Sequence, residues 1–133
     1  MRRVGAVGML VAAVTLLAGC AFPPGACTAI GWSNVVTIDS SAYGSDVFLQ
    51  VCVDAGCSTA PGVETTPSTD LSVPERGDAG AFGFGFSAPD DITVRVFDAD
   101  GILLAESEET IDWTHSTDPC GGPSTAAPVV LER

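Results

Sequence analysis

Apolar and polar residues alternate in short stretches of this chain between residues 35 and 132. A period of two residues predicts β-strands with one face against a core and the other against solvent. In residues 46–53, the face expected to be buried carries Val47, Leu49, Val51 and Val53. The other predicted strands span 35–39, 71–73, 81–86, 91–97, 102–106, 110–114 and 127–132.

Glycine and proline punctuate these stretches. Residues 58–78 contain three prolines and two glycines, so we expect a loop-rich connection there. Residues 98–101, with the sequence Asp-Ala-Asp-Gly, predict a hairpin turn. Long apolar repeats with helical spacing do not occur after residue 26. The pattern therefore predicts an all-β protein, a single antiparallel β-sandwich of about seven to eight strands.

Two groups of aromatic residues bear on the predicted core. Phe82, Phe84 and Phe86 alternate with glycines, which predicts three rings on one strand face and a bare opposite face that another backbone can approach closely. Trp32 and Trp113 are candidates for a sugar-stacking platform. Each shares a strand face with an isoleucine, so we favour core packing for both.

The amino terminus has a different character. Met1-Arg2-Arg3 precedes a run of apolar and small residues that ends in Leu17-Ala18-Gly19-Cys20. These residues resemble the signal peptide and lipobox of bacterial lipoproteins. The resemblance implies cleavage before Cys20, a diacylglyceryl thioether on its sulfur, and attachment to the extracytoplasmic face of the cell membrane. The alternative is an uncleaved transmembrane helix, for which the run is at the short limit.

On this interpretation the chain divides into three parts: a signal peptide at 1–19, a lipidated tether at 20–26, and a β-domain at 27–133. Without residues 1–19 the chain has three arginines and no lysine against 17 acidic residues, a net charge of −14. A charge of this sign argues against nucleic acid as a partner. It allows cationic proteins or divalent ions.

Four further cysteines remain after Cys20, and in an exported chain they predict two disulfides. Cys52 and Cys57 flank a two-residue hairpin loop, Asp54-Ala55, at directly opposite ladder positions, which favours a Cys52–Cys57 bridge on the outer face. Cys27 would then pair with Cys120. The alternative bridge joins Cys52 to Cys120. The cysteines form no CxxC pair, so we expect no metal site.

Several acidic residues are candidates for a calcium site or a catalytic carboxylate pair, but each has a simpler structural explanation. Asp98 and Asp100, with Asp90 or Asp91, could offer oxygens to calcium, but Asp-Gly is a common hairpin signal and we favour the turn. Glu108 and Glu109 are adjacent, so on a strand they point to opposite faces and cannot form a paired carboxylate site.

His115 is the single histidine of the chain. A Ser–His–Asp site would have to use it, with Asp112 or Asp118 and a distant serine. The chain has no Gly-x-Ser-x-Gly motif, and we favour a solvated surface histidine.

Residues 89–113 resemble the hairpins of bacterial immunoglobulin-like surface domains. The chain after residue 19 is also similar to small lipoproteins of high-GC Gram-positive bacteria, with a Val-Cys-Val-Asp hairpin and a Cys-Gly-Gly-Pro near the end. The resemblance implies an immunoglobulin-like sandwich and does not point to any activity. We therefore expect a non-catalytic surface or protein-interaction module without cofactor, with an envelope protein as partner. The alternatives are an acidic lipoprotein that binds calcium or a cationic partner, and a hydrolase around His115.

Overall fold

The computed structural model of the chain describes residues 25, 27, 31–66 and 68–133. The predicted signal peptide, Cys20 and most of the tether lie outside these residues. Within the described part, no helix combines the length and the apolar character needed to cross a membrane.

The described residues form ten strands and one short 3-10 turn. The strands are β1 (Val35–Asp39), β2 (Phe48–Val53), β3 (Gly56–Cys57), β4 (Glu75–Arg76), β5 (Ala81–Gly83), β6 (Asp91–Phe97), β7 (Leu103–Thr110), β8 (Trp113–Thr114), β9 (Thr125–Ala126) and β10 (Val129–Val130), and the 3-10 turn is Ser41–Tyr43. Five of the strands are only two residues long, which explains why the predicted number of strands is smaller than the observed number.

The strands form two four-stranded sheets that pack as an all-β sandwich, as predicted. One sheet has the order β10-β1-β5-β4 and the other β3-β2-β6-β7, with β8 and β9 as a separate ladder. The sandwich is not wholly antiparallel, because β10 runs parallel to β1, with Ile38 opposite Val129. A hairpin would force opposite directions, but these strands are the first and last of the domain and no hairpin joins them.

The core lies between the sheets and follows the predicted alternation. Its fully buried members include Val36, Val51, Phe82, Phe84, Val94 and Val96. In β6 the inward residues Ile92, Val94 and Val96 alternate with partly exposed ones, so the whole strand matches its prediction.

The phenylalanine strand is shorter than predicted. It ends at Gly83, and Phe86 is 58% exposed, so Phe82 and Phe84 fill the core without it. The chain turns at Gly85, whose φ is +56°. A Cβ on Gly85 would lie 2.5 Å from the carbonyl oxygen of Leu71, which agrees with the expectation of a closely packed backbone on the glycine face.

The predicted strand at 71–73 is a turn instead. Asp70 causes the difference, because its Oδ1 accepts the backbone N–H of Ser72 at 3.0 Å and its carbonyl oxygen accepts that of Val73 at 3.2 Å. A side chain that bonds its own backbone two residues on competes with strand pairing. The edge strand forms later, as β4.

The carboxyl-terminal strands also shift. The strand predicted at 102–106 extends to Thr110, and the one predicted at 110–114 is reduced to β8. The strand predicted at 127–132 is replaced by β9 and β10 on either side of the Ala127–Pro128 pair. Pro128 has no N–H to donate, so it interrupts pairing at that point.

Candidate interaction surfaces

A disulfide joins the two ends of the described chain. Cys27 is bonded to Cys120, with Cα atoms 5.2 Å apart and a separation of 93 positions in sequence. Beside the bridge, the indole of Trp32 lies against the backbone of Gly121, where a Cβ would be 2.7 Å from the ring. The first-ranked cysteine pairing is therefore the one present, and the alternative Cys52–Cys120 bridge is wrong.

The second bridge joins Cys52 to Cys57 at directly opposite positions of the β2–β3 hairpin, with Val53 opposite Gly56 as predicted. The bridge lies on the outer face of the sheet, as predicted, because Cys52 pairs with Thr93 whereas the inward Val51 pairs with Val94. Cys52 is nevertheless only 9% exposed. Arg95 contacts it, with Nη1 3.7 Å from the Cys52 Sγ and 4.0 Å from the Cys57 Sγ.

Arg95 also makes the single ion pair found among the described residues. Its Nε donates to Oε2 of Glu106 at 2.5 Å. The two residues are direct neighbours across the β6–β7 ladder. The guanidinium therefore joins the edge strand β7 to the Cys52–Cys57 bridge over the outer face of the sheet.

Strand β7 is one of the two edges of its sheet, opposite β3. It spans eight residues and is hydrogen-bonded to one neighbour, β6. Its register shifts by one residue, since Val96 pairs with Ala105 and Phe97 with Leu103. Leu104 consequently has no partner in β6, which is the arrangement of a β-bulge.

The bulge accompanies an unusual run of exposed apolar side chains. We call Ile102, Leu103 and Leu104 the apolar triad, and they are 62%, 49% and 48% exposed. After the triad, β7 becomes acidic. Glu106 and Glu108 lie opposite Arg95 and Thr93 on the outer face, whereas Glu109 lies opposite the buried Ile92. Glu108 and Glu109 thus point to opposite faces, as predicted.

A second apolar surface lies beside the Cys27–Cys120 bridge, where Trp32 contacts Gly121. Trp32 and Phe86 meet edge to face with ring centroids 5.4 Å apart. With Leu71, which is 63% exposed, they line a groove of about 200 Å³ that also contains Asp70 and Glu75. The prediction that Trp32 packs in the core is therefore wrong.

Trp113 does pack against the core, as predicted. Its ring meets Phe84 edge to face at 6.1 Å. Its Nε1 donates to the carbonyl oxygen of Pro89 at 2.9 Å, so the polar atom of the half-buried indole is satisfied.

His115 is exposed and lies next to a serine. Its Nδ1 is 2.9 Å from the Oγ of Ser124. Ser124 is only 8% exposed, and its backbone N–H is held by Asn34 at 2.6 Å. Asp118 is engaged elsewhere, since its Oδ1 accepts the N–H of Cys120. The structure thus brings His115 together with a buried serine but joins neither of the proposed aspartates to it by a hydrogen bond.

The Asp98 turn is a hairpin turn, as favoured from the sequence. Oδ1 of Asp98 accepts the backbone N–H groups of Asp100 and Ile102 at 2.9 and 2.8 Å, and Gly101 has a φ of +80°. In the part of the chain that the structure describes, no three His, Cys, Asp or Glu side chains converge as metal ligands.

Asn34 is a structural residue that sequence reasoning missed. It is 3% exposed, and its Nδ2 donates to the carbonyl oxygen of Ser87 at 2.8 Å. Its backbone exchanges two further hydrogen bonds with Phe84 and Gly85. A polar residue just before a strand carries no periodic signal, so only the fold reveals the role of Asn34.

Comparison of the chain with protein-family models, with curated proteins and with solved structures gives no match.

Proposed function

We propose that this protein is an exported lipoprotein, held at the extracytoplasmic face of the cell membrane by lipid on Cys20, and that its sandwich is a non-catalytic protein-interaction module. The Leu17-Ala18-Gly19-Cys20 pattern supports the anchor. The observation that carries the interaction role is the edge strand β7 with its apolar triad.

The backbone of β7 offers hydrogen bonds to a partner. Only one side of the strand is paired, to β6. An extended segment can add to such an edge as a further strand, with main-chain hydrogen bonds for affinity and side-chain contacts for specificity. Eight residues are longer than the usual strand of five or six, so the edge has room for a complete partner strand.

The apolar triad supplies the hydrophobic contribution. Ile102, Leu103 and Leu104 are consecutive and each is about half exposed or more. Single exposed apolar residues are ordinary, whereas contiguous ones mark interaction sites. Covering the triad removes apolar surface from water at the same place where backbone groups become paired.

Charge selects the partner. Glu106 and Glu108 follow the triad on the outer face of an edge strand, and the domain has a large negative charge. A second copy of β7 would bring glutamates together, and like charges across a ladder destabilise pairing. The partner that fits is an extended segment of an envelope protein, with basic side chains beside Glu106 and Glu108 and apolar ones against the triad.

Site-specific crosslinking in living cells tests this function. The chain has no lysine, so amine-reactive reagents have no side chain to attack, and a photoreactive amino acid at position 104 is the suitable probe. The matched control places the same amino acid at Val63, which is 61% exposed in the connection between the sheets. We expect one product from position 104, none from position 63, and a crosslinked peptide rich in basic residues.

The anchor is tested in the same cells. A clickable palmitate analogue should label the wild-type protein and not Cys20→Ser, and the variant should lose the membrane-dependent crosslink. Equal products from positions 104 and 63 would refute the role of β7. Unchanged lipid labelling of Cys20→Ser would refute the anchor.

A further inference from the structure

The Cys52–Cys57 bridge has a cation beside both of its sulfur atoms. Nη1 of Arg95 is 3.7 Å from the Cys52 Sγ and 4.0 Å from the Cys57 Sγ. Cys57 is exposed to solvent, whereas Cys52 is nearly buried. One sulfur is thus open to a reagent, and its partner is covered and lies next to a positive charge.

The bridge closes a very small loop. Five positions separate its cysteines, so it restricts the unfolded chain far less than a long-range bridge. Its opening would leave β2 in place, because Cys52 itself pairs with Thr93 in the β2–β6 ladder and Phe48 pairs with Phe97 at the other end. The sandwich therefore does not need this bridge to keep its register.

We propose that Cys52–Cys57 is a site of thiol–disulfide exchange with dithiol reductants. A reductant thiolate attacks the exposed Cys57 Sγ, a mixed disulfide forms, the S–S bond to Cys52 breaks, and Cys52 leaves as a thiolate. The second thiolate of the reductant then attacks the other reductant sulfur, which is bonded to Cys57 in the mixed disulfide. That S–S bond breaks, and Cys57 leaves as a thiolate. The reductant is oxidised to a disulfide, and the two cysteines are reduced.

Arg95 promotes the first step by stabilising the leaving group. A thiol leaves faster when its pKa is lower, and a neighbouring guanidinium favours the thiolate. Glu106 opposes this effect, because it holds the Nε of the same guanidinium. The electrostatic balance at the sulfurs is therefore set by an ion pair that also belongs to β7.

The test is the rate at which dithiothreitol opens each bridge in the purified full-length protein. Samples are quenched by alkylation, and mass spectrometry reports Cys52–Cys57 and Cys27–Cys120 separately. We expect Arg95→Gln to slow the opening of Cys52–Cys57 about threefold, the scale of a partly exposed charge interaction. Arg95→Lys should retain most of the wild-type rate, and Glu106→Gln should accelerate the opening.

Two controls separate this effect from loosening of the fold. Arg133→Gln removes the same charge from a guanidinium that lies over the Tyr43 ring, and it should leave the rate unchanged. In every variant, the Cys27–Cys120 bridge serves as a reference within the same molecule. Loosening would speed the opening of Cys52–Cys57, the opposite of the expected change in Arg95→Gln.

A thiol titration of the reduced protein gives a second readout. The pKa of the Cys52 thiol should be higher in Arg95→Gln than in the wild type and lower in Glu106→Gln. Equal opening rates in the wild type, Arg95→Gln and Glu106→Gln would overturn the proposal.

Discussion

Asn34 and Ser124 are 90 residues apart in sequence, and Oδ1 of Asn34 accepts the backbone N–H of Ser124 at 2.6 Å. On its other side, the Asn34 amide donates to the carbonyl oxygen of Ser87. One buried side chain thus ties the start of β1 to the turn after the phenylalanine strand and to the carboxyl-terminal segment. Both of its contacts go to backbone atoms, so it supports the chain path itself.

Replacing Asn34 should therefore destabilise the domain more than the replacement of a typical single polar residue. Asn34→Ala leaves the Ser124 N–H and the Ser87 carbonyl without partners, and we expect a loss of about 1–3 kcal/mol in the free energy of unfolding. Urea unfolding followed by tryptophan fluorescence measures this loss. Asn34→Asp keeps the acceptor for Ser124 but loses the donor to Ser87, and it should also destabilise. A loss below about 0.5 kcal/mol in both variants would contradict this role.

The two disulfides should contribute unequally to stability. In the chain-entropy model the long Cys27–Cys120 loop is worth about 4.6 kcal/mol, and the short Cys52–Cys57 loop about 2 kcal/mol. We expect the double variant Cys27→Ser/Cys120→Ser to melt at a clearly lower temperature than Cys52→Ser/Cys57→Ser. Scanning calorimetry of both variants makes the comparison. Equal melting temperatures would mean that loop length does not govern the effect here.

Neighbouring phenylalanines should respond very differently to truncation. Phe84 is fully buried and Phe86 is 58% exposed. Phe84→Ala opens a cavity between the sheets and should cost about 3–5 kcal/mol. Phe86→Ala removes only a surface contact with Trp32 and should cost about 0.5–1.5 kcal/mol, the scale of an aromatic pair. Chemical unfolding of both variants checks the contrast, which similar losses would refute.

The carboxyl group of Asp39, the last residue of β1, should titrate at low pH. The backbone N–H of Ser41 donates to Oδ1 of Asp39 at 2.9 Å. This hydrogen bond, followed by the one from the Ser41 hydroxyl, holds the pKa of Asp39 below its usual value of 3.8. A lowered pKa means that the charged carboxylate stabilises the fold above pH 3.8, and that this contribution is lost as the pH falls through the lower folded value.

Carbon-detected NMR titration of the Asp39 carboxyl measures this pKa directly. In Ser41→Ala the backbone donor remains, so the pKa should stay lowered, though less than in the wild type. Asp39→Asn should reduce the loss of stability as the pH falls below 3.8, where the wild-type carboxylate becomes protonated. A wild-type midpoint above 3.8 would contradict the assigned cause.

The sequence predicts the bounds of some strands correctly and misplaces others for identifiable reasons. Val35–Asp39 and Asp91–Phe97 match their predictions. Each pairs on both sides in its sheet, so the alternation is enforced by neighbours as well as by the core. The segment around Leu71 fails because the Asp70 side chain makes a local turn, and hydrophobic periodicity does not detect such side-chain bonds.

The candidate sites divide in the same way. The cysteine pairing was predictable because a two-residue hairpin fixes which positions face each other. The position of Arg95 over the sulfurs was not, because it depends on the ladder register between β2 and β6. The exposure of the apolar triad could not be predicted either, since Ile102, Leu103 and Leu104 resemble core residues in sequence. Only the bulge and the edge position bring them to the surface.

The Cys27–Cys120 bridge also determines what proteolysis can release. The loop-rich connection between Ser58 and Pro74 is the natural place for a protease to cut, and it lies between the two bridged cysteines. A single cut there yields two fragments that remain covalently joined through Cys27–Cys120. The nicked protein would run as one band on a non-reducing gel and as two on a reducing gel, so release of the carboxyl-terminal fragment would require reduction of Cys27–Cys120 as well as the cut.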